Sequence, residues 1–293
     1  MIKKLLFASV IIPTYHDWDR LKLCIEALKR QTYPHESFEV IIVNNDPEDN
    51  PPALGLPDNF MLISEAKPGS YAARNSGIRR SQGTILAFTD SDCIPYPDWI
   101  ENGVRHLQEG AERIAGRVEL FYSGDRLTLA EKYEKAFELR QEHNAARETS
   151  VTANMVTWRH NFDKVGLFDD SILSCGDTEW GWQAARAGID IIYAPDVVVK
   201  HPARRLLLDL LKKMRRIKGG YIQNKRPASV LGCLGLLARG FVPPVFAFMR
   251  IRERPDLAMN EKLSALIVCY FTKVYGAFQM VMMMLNFRKP TRV

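Results

Sequence analysis

The stretch Ile85-Leu86-Ala87-Phe88-Thr89-Asp90-Ser91-Asp92-Cys93 decides how this chain is read. An apolar run of strand type ends in two carboxylates one residue apart. In extended backbone, residues two apart point to the same side, so Asp90 and Asp92 offer paired oxygens at a strand's carboxyl end. In open α/β sheets ligands bind at that edge. Hard divalent cations such as Mg2+ or Mn2+ take oxygen ligands and share them with substrate phosphates. A strand end followed by an Asx turn has the same local pattern, so the surrounding chain has to choose.

Upstream, residues 5 to 12 form an apolar, β-branched run, a buried strand broken by Pro13-Thr14-Tyr15. The run begins like a signal peptide but continues into Ile11 and Ile12 with no cleavage site. Apolar residues at Trp18, Leu21, Ile25 and Leu28 give a helical spacing between Asp17 and Gln31. Phe38 to Val43 is a second strand ending in Asn44-Asn45-Asp46, and Phe60 to Ser64 a short third. Lys67-Pro68-Gly69-Ser70 is a turn, and Tyr71 to Ser81 a helix leading into the Asp-x-Asp strand. Strands alternating with helices imply a mostly parallel sheet. Downstream, the pattern predicts helices from Pro97 to Gln108 and from Leu127 to Arg147, and strands over Arg113–Phe121 and Ser150–Thr157. A short helix or turn is expected over Asn161–Gly166, a helix from Asp177 to Ala187, and a last strand over Ile189–Tyr193. Pro13-Thr14-Tyr15, Asp46, Arg74-Asn75 and Asp90-Ser91-Asp92 would then lie at or near neighbouring strand ends. Such an edge can hold a nucleotide, with a carboxylate for base or ribose, a cation for phosphate and a metal bridge.

The order V-I-I-P-T-Y, V-I-I-V-N-N-D, K-P-G-S-Y-A-A-R-N-S-G-I and F-T-D-S-D-C-I-P resembles a family-2 glycosyltransferase. The likeness runs over about residues 8 to 200. It implies the GT-A fold, a Rossmann-like mixed, mostly parallel sheet flanked by helices. It also implies a nucleotide-diphosphate-sugar donor, with UDP-sugar the family default, a Mn2+ or Mg2+ ion, and inversion at the anomeric carbon. By that resemblance Pro13, Thr14 and Tyr15 line the nucleotide pocket, and Asp46 meets base or ribose. Arg74 approaches the donor phosphates beside Asn75, Asp90 and Ser91 support nucleotide and ion, and Asp92 is the metal ligand. Gly166-Leu167-Phe168-Asp169 followed by Cys175-Gly176-Asp177-Thr178-Glu179-Trp180 is similar to the family's acceptor-side segment. That similarity implies Asp177 as general base, with Glu179 and Trp180 on the acceptor side. Gly176 stands where the first acid of the family's pair is usual. His201 matches a histidine that contacts metal or phosphate in some members.

The implied activity is transfer of a sugar to a hydroxyl of a glycan, lipid-linked saccharide or polysaccharide precursor. Two other readings share parts of the pattern. One is a phosphoryl-transfer hydrolase using Asp-x-Asp, which carries its motif on the first strand, whereas here three strands precede it. The other is a non-catalytic nucleotide-sugar-binding or membrane scaffold protein; Asp46, Asp92 and Asp177 together argue against that.

Composition fits this reading. The 293 residues are 46% hydrophobic and 25% charged, as in ordinary globular proteins. Five scattered cysteines without a C-x-x-C point to reduced thiols in a cytoplasmic setting. Of the net charge of +6, the segment Arg204–Arg226 carries nine Lys/Arg against Asp209, so the rest of the chain is slightly acidic. A local excess of this kind does not suit whole-protein nucleic-acid binding. The chain is therefore divided into a catalytic domain, 1–203, and a basic, apolar helical region, 204–293. Leu207, Leu210, Leu211, Met214, Ile217 and Tyr221 share one helical face, with Lys and Arg around the rest. Apolar stretches follow, Ala228–Ala238 and Gly240–Met249, then Leu263–Thr272 and Val274–Phe287, split by Arg239 and Lys273. None reaches the roughly 18 uninterrupted apolar residues of a spanning helix. The expectation is a peripheral extension drawn to an anionic membrane at the inner face, with packing on the core or a homodimer partner as its other use.

Overall fold

Three apolar runs form the parallel centre of one sheet. In the computed structural model, which describes residues 5–137, 139–223, 230–285 and 287–288, β1 is Ala8–Thr14, followed by α1, Trp18–Leu28. Then come β2 (Phe38–Asn44), β3 (Phe60–Ser64), α2 (Ser70–Arg80), β4 (Ile85–Thr89), β5 (Ile94–Pro95) and α3 (Trp99–Gln108). Next are β6 (Arg113–Phe121), α4 (Leu129–Phe137), α5 (Gln141–Ala145), β7 (Asn154–Trp158) and α6 (Arg159–Val165). The chain continues through α7 (Gly176–Arg186), β8 (Ile191–Pro202), α8 (Leu207–Gln223), α9 (Val230–Phe241), α10 (Val245–Arg252) and α11 (Met259–Met284). The eight-stranded sheet has the order β3-β2-β1-β4-β7-β6-β8-β5. β3, β2, β1 and β4 pair in parallel, and β7 is antiparallel to both β4 and β6.

Side-chain alternation explains the layers. Val10, Ile12, Val40 and Ile42 point to one face, where Leu21, Ile25 and Leu28 of α1 and Trp99, Val104 and Leu107 of α3 join them. Ile41 and Val43 point to the other face and meet Ala73 of α2. There a Cβ on Gly77 would stand 2.6 Å from Ile11 Cγ2, so the missing side chain lets α2 lie close on the strands. With both faces covered, every residue of β1, β2 and β4 is buried.

Several expectations change. Pro13 does not break β1; it pairs with Val43, beyond the last residue of β1 that pairs with β4. Its lack of an N–H therefore costs no ladder bond on the β4 side. The polar helix expected over Leu127–Arg147 is two helices, with Leu139 at φ +51° between them. The last strand runs on to Pro202, passing through Pro195.

The chain divides into two units. The first is Met1–Glu119, Arg140–Ser171 and Gly176–His201; the second is Leu120–Leu139, Ile172–Cys175 and Pro202–Val293. In the second, α11 packs against α4, α8 and α9, around Ala130, Tyr133, Leu210 and Val268. Glu131 accepts from Thr128 N at 2.7 Å while Thr128 Oγ1 accepts from Glu131 N at 3.2 Å, a reciprocal cap at the start of α4. Lys273 does not split the apolar pair into two helices, because α11 is continuous over 26 residues. Length and composition would let Gly232–Arg252 and Met259–Met284 cross a membrane, with mean hydropathies of 1.5 and 1.4. Arg239 and Lys273 still interrupt these spans, so neither holds 18 uninterrupted apolar residues.

The basic segment is also partly internal. Glu134, 1% exposed, accepts from Arg204 Nη1 at 2.7 Å and lies 3.8 Å from Lys213 Nζ. A buried carboxylate needs paired cations, so Arg204 and Lys213 are engaged inside the unit rather than forming an outward basic face. Positions 1–4, Lys225, Arg226 and Ala228 lie outside the described residues.

Candidate active site

The parallel strands end in loops that carry the sequence-predicted residues. After β1, Thr14 is buried and its Oγ1 has no hydrogen-bond partner among the described residues, an orphaned acceptor at the sheet edge. Tyr15 is the first side chain to emerge, 37% exposed, and stands edge-on to His16 at 4.2 Å between ring centroids. His16 has φ +51°, a left-handed conformation uncommon for a residue other than glycine. After β2, Asn44 and Asn45 build the loop. Asn44 Nδ2 donates to the carbonyls of Asp46 and Asp49 at 2.8 and 2.9 Å. Asn45 Nδ2 donates to the carbonyls of Glu65 and Lys67, and its Oδ1 accepts from Gly69 N at 2.9 Å. Gly69 has φ +126°, which lets the chain turn there into α2. The carboxylate of Asp46 is left facing His16, with Nε2 to Oδ2 at 3.0 Å, while His16 Nδ1 lies 3.2 Å from Asp49 Oδ2. His16 and Asp49 carried no signal in the sequence. A cleft of about 420 Å³ adjoins this loop, lined by His16, Asp17, Trp18 and Asn50 among others.

After β4, Ser91 Oγ donates to Asp17 Oδ2 at 3.0 Å, tying the Asp-x-Asp turn to the loop after β1. Arg20 donates to Asp17 at 2.6 Å and stands 3.6 Å from Asp92 Oδ2. Burial pushes the Asp17 carboxyl up, against the pull of Arg20 and Ser91. Arg74, expected at the donor phosphates, is 4% exposed and ion-paired with Asp90. A buried guanidinium requires a carboxylate, and this one commits Arg74 to holding the first acid of the pair. Its Nε has no hydrogen-bond partner among the described residues. Asn75 is likewise engaged elsewhere. Its Nδ2 donates to Phe168 O at 2.8 Å and its Oδ1 accepts from Phe168 N at 3.1 Å, clamping the loop before α7.

The two-residue strand β5 has too short a pattern to read, yet it places His201. Its antiparallel register, Ile94 with Lys200 and Pro95 with Val199, sets Cys93 near His201. Asp92 Oδ1 is 3.7 Å from His201 Nε2. The ligand atoms of Asp92, Cys93 and His201 all lie within 4.8 Å of one another. Burial raises the Cys93 thiol well above its ordinary range, with Asp92 and Asp90 adding to it. The Asp92 carboxylate is the hard oxygen donor that Mn2+ or Mg2+ takes, with phosphate and water for its other positions, and His201 places an imidazole nitrogen beside it.

Asp177 opens α7, where its carboxylate is held by three donors. Oδ1 accepts from Tyr71 Oη at 3.1 Å and from Thr178 N at 2.9 Å, and Oδ2 from Thr152 N at 3.3 Å. The departure at Gly176 has a steric reason, since a Cβ there would lie 2.8 Å from Tyr71 Cε2. Glu179 is half-buried. Trp180 does not face an acceptor. It is 2% exposed, stacked on Phe162 at 4.3 Å, and donates from Nε1 to Gly166 O at 2.9 Å. Trp182, 46% exposed, is the outward tryptophan of α7.

Comparison with known proteins bears on the family and the fold. The profile of Glycosyl transferase family 2 matches residues 9–161. Glycosyltransferase AglE of Haloferax volcanii is 36% identical over 231 residues, covering 76% of this chain and 75% of that protein. Glycosyltransferase GlyG of Streptococcus pneumoniae is 32% identical over 107 residues, 34% of this chain and 35% of that one. Among solved structures, mannosyltransferase PcManGT of Pyrobaculum calidifontis, in complex with GDP-Man and Mn2+, superposes with a TM-score of 0.54 at 18% identity, covering 97% and 75%. S. aureus TarS 1–349, in complex with UDP-GlcNAc, gives 0.55 at 16% identity, covering 97% and 93%. At those identities the structures share the GT-A fold with this chain. The family profile over more than half the length, and a relative so similar over three quarters of both chains, make this chain a glycosyltransferase of family 2.

Proposed function

We propose that this glycosyltransferase moves a sugar from a nucleotide-diphosphate sugar to a hydroxyl of a saccharide or lipid-linked acceptor, inverting the anomeric carbon in one displacement. The observation that carries the reading is the seating of Asp177. It lies at a helix start, half-buried, with a carboxylate fixed by neighbouring donors. A carboxylate so held can take the acceptor's proton as its oxygen attacks. The bond from the anomeric carbon to the phosphate oxygen breaks with its electron pair going to the departing nucleoside diphosphate. Asp92 and His201 would hold a Mn2+ or Mg2+ ion, which supplies positive charge to the diphosphate as it leaves. Asp90 is paired with Arg74, and Asp92 stands 3.6 Å from Arg20, so each acid of the pair has a cation beside it. Asp46 and His16 stand where base or ribose would be met, and Thr14 Oγ1 and Tyr15 border the same loop.

The second unit supports a peripheral membrane role. Phe241, Val242, Val245, Phe246, Phe248 and Met249 are exposed around the Pro243-Pro244 bend, Phe246 at 83%. Arg239, Arg250 and Arg252 flank them in sequence. Apolar side chains bordered by cations suit an anionic lipid surface. The test of the main reading is a donor screen by thermal unfolding. GDP-Man or UDP-GlcNAc should raise the melting temperature with Mn2+ and much less without it. No rise with either donor under either condition would count against the reading.

A further inference from the structure

Tyr71 is the residue that the site geometry leaves unexplained. Its side chain sits in α2, buried, with its ring 5.6 Å from that of Phe168 and under the Arg74 guanidinium at 5.7 Å. Its third wall is Gly176, where a Cβ would come within 2.8 to 3.0 Å of three ring atoms. The ring is thus fixed by packing, and its hydroxyl ends on Asp177 Oδ1 at 3.1 Å.

We propose that Tyr71 is a positioning residue for Asp177, orienting the carboxylate so that Oδ2 receives the acceptor's proton. This rests on the reading of Asp177 as the base. Among the described residues, Oδ1 already takes two donors, Tyr71 Oη and Thr178 N, whereas Oδ2 takes only the long contact from Thr152 N. A carboxylate has about four acceptor sites, so Oδ2 keeps the capacity to accept a proton. Burial, with Asp177 next in effect, raises the Tyr71 phenol well above its ordinary range, so the hydroxyl remains a donor throughout neutral pH. The same side chain links the two halves of the site. Asp90 pairs with Arg74, Arg74 lies over the Tyr71 ring, and Tyr71 bonds Asp177.

The experiment compares full-length wild type, Tyr71→Phe, Asp177→Asn and the double variant. Nucleoside diphosphate release is followed from GDP-Man and from UDP-GlcNAc with Mn2+. Tyr71→Phe keeps the ring and loses only the hydroxyl. It should lower kcat about tenfold, the order of one hydrogen bond to a charged group, with donor KM and melting temperature close to wild type. In the Asp177→Asn background it should change kcat little, because the group it orients is gone. Gly176→Ala is the second variant. It keeps the hydroxyl on the ring but forces the ring, and the hydroxyl with it, to move, and should also lower kcat. Wild-type kcat in both Tyr71→Phe and Gly176→Ala, with Asp177→Asn inactive, would overturn the positioning role and leave the base intact. An active Asp177→Asn would overturn the base reading and this inference with it.

Discussion

The Arg74–Asp90 pair gives the sharpest energetic test, because its two members differ in access to water. Arg74 is 4% exposed and Asp90 32% exposed. Asp90→Ala leaves a guanidinium buried without its carboxylate, and breaking a buried pair in this way costs about 3–5 kcal/mol. Arg74→Met fills the same space and leaves a carboxylate that water reaches, so its cost falls toward that of a partly exposed pair, about 1 kcal/mol. The difference, about 2 kcal/mol at the low end, is roughly a thirtyfold change in the unfolding constant. Urea unfolding of both variants and the double variant at neutral pH reads it directly. Asp90→Ala should be the less stable single variant, and Asp90→Ala/Arg74→Met more stable than Asp90→Ala alone. If Arg74 instead reached toward solvent to meet donor phosphates, Asp90→Ala would cost under about 0.5 kcal/mol. Equal costs for the two single variants would also refute the argument.

Three further outcomes follow from the geometry. Asp92→Ala should abolish the Mn2+-dependent part of donor protection in calorimetry while the fold persists; unchanged metal dependence would remove Asp92 from the ion. Trp180→Ala should destabilise by about 3–5 kcal/mol as a large core truncation, whereas Trp182→Ala should stay within about 0.5 kcal/mol; the reverse order in chemical unfolding would contradict their placement. The full-length chain should pellet with anionic vesicles, and Phe241→Asp with Phe246→Asp should release it; identical pelleting of that double variant would argue against insertion at the Pro243-Pro244 bend.

The sheet was legible because its central strands are buried on both faces and so read as unbroken β-branched runs. Ile85–Thr89 and Phe38–Asn44 leave no other use for such residues. What escaped was fixed by tertiary pairing. β5 is two residues long and has no period, yet its register with β8 brings His201 to Asp92 across the chain. Pro13 looked like a strand end, but β1 continues where its β4 pairing has already finished. Trp180 and Trp182 are alike in sequence, and only the helix face turns the first into the core. The charge of Arg74 is plain in the sequence, but its burial depends on α2 lying tight over β1. His16 gives no pattern at all, since its place between Asp46 and Asp49 comes from a left-handed backbone. In the second unit, Lys273 interrupts an apolar stretch in sequence, but the helix continues through it.

The central claim, that Asp177 takes the acceptor's proton, is tested most directly by comparing kcat for Asp177→Asn and Glu179→Gln with saturating donor and Mn2+. The two acids lie two residues apart on α7 and do not share a helix face. Asp177→Asn keeps the shape and, with its single oxygen in the Oδ1 position, the contact from Thr178 N, while the amide nitrogen replaces the oxygen that accepts from Thr152 N and would accept the proton. It should reduce kcat by about a hundredfold or more, with donor affinity near wild type. Glu179→Gln should be mild and appear mainly in acceptor KM. Retention of most of kcat by Asp177→Asn, with its loss in Glu179→Gln, would contradict the account and move the base to Glu179.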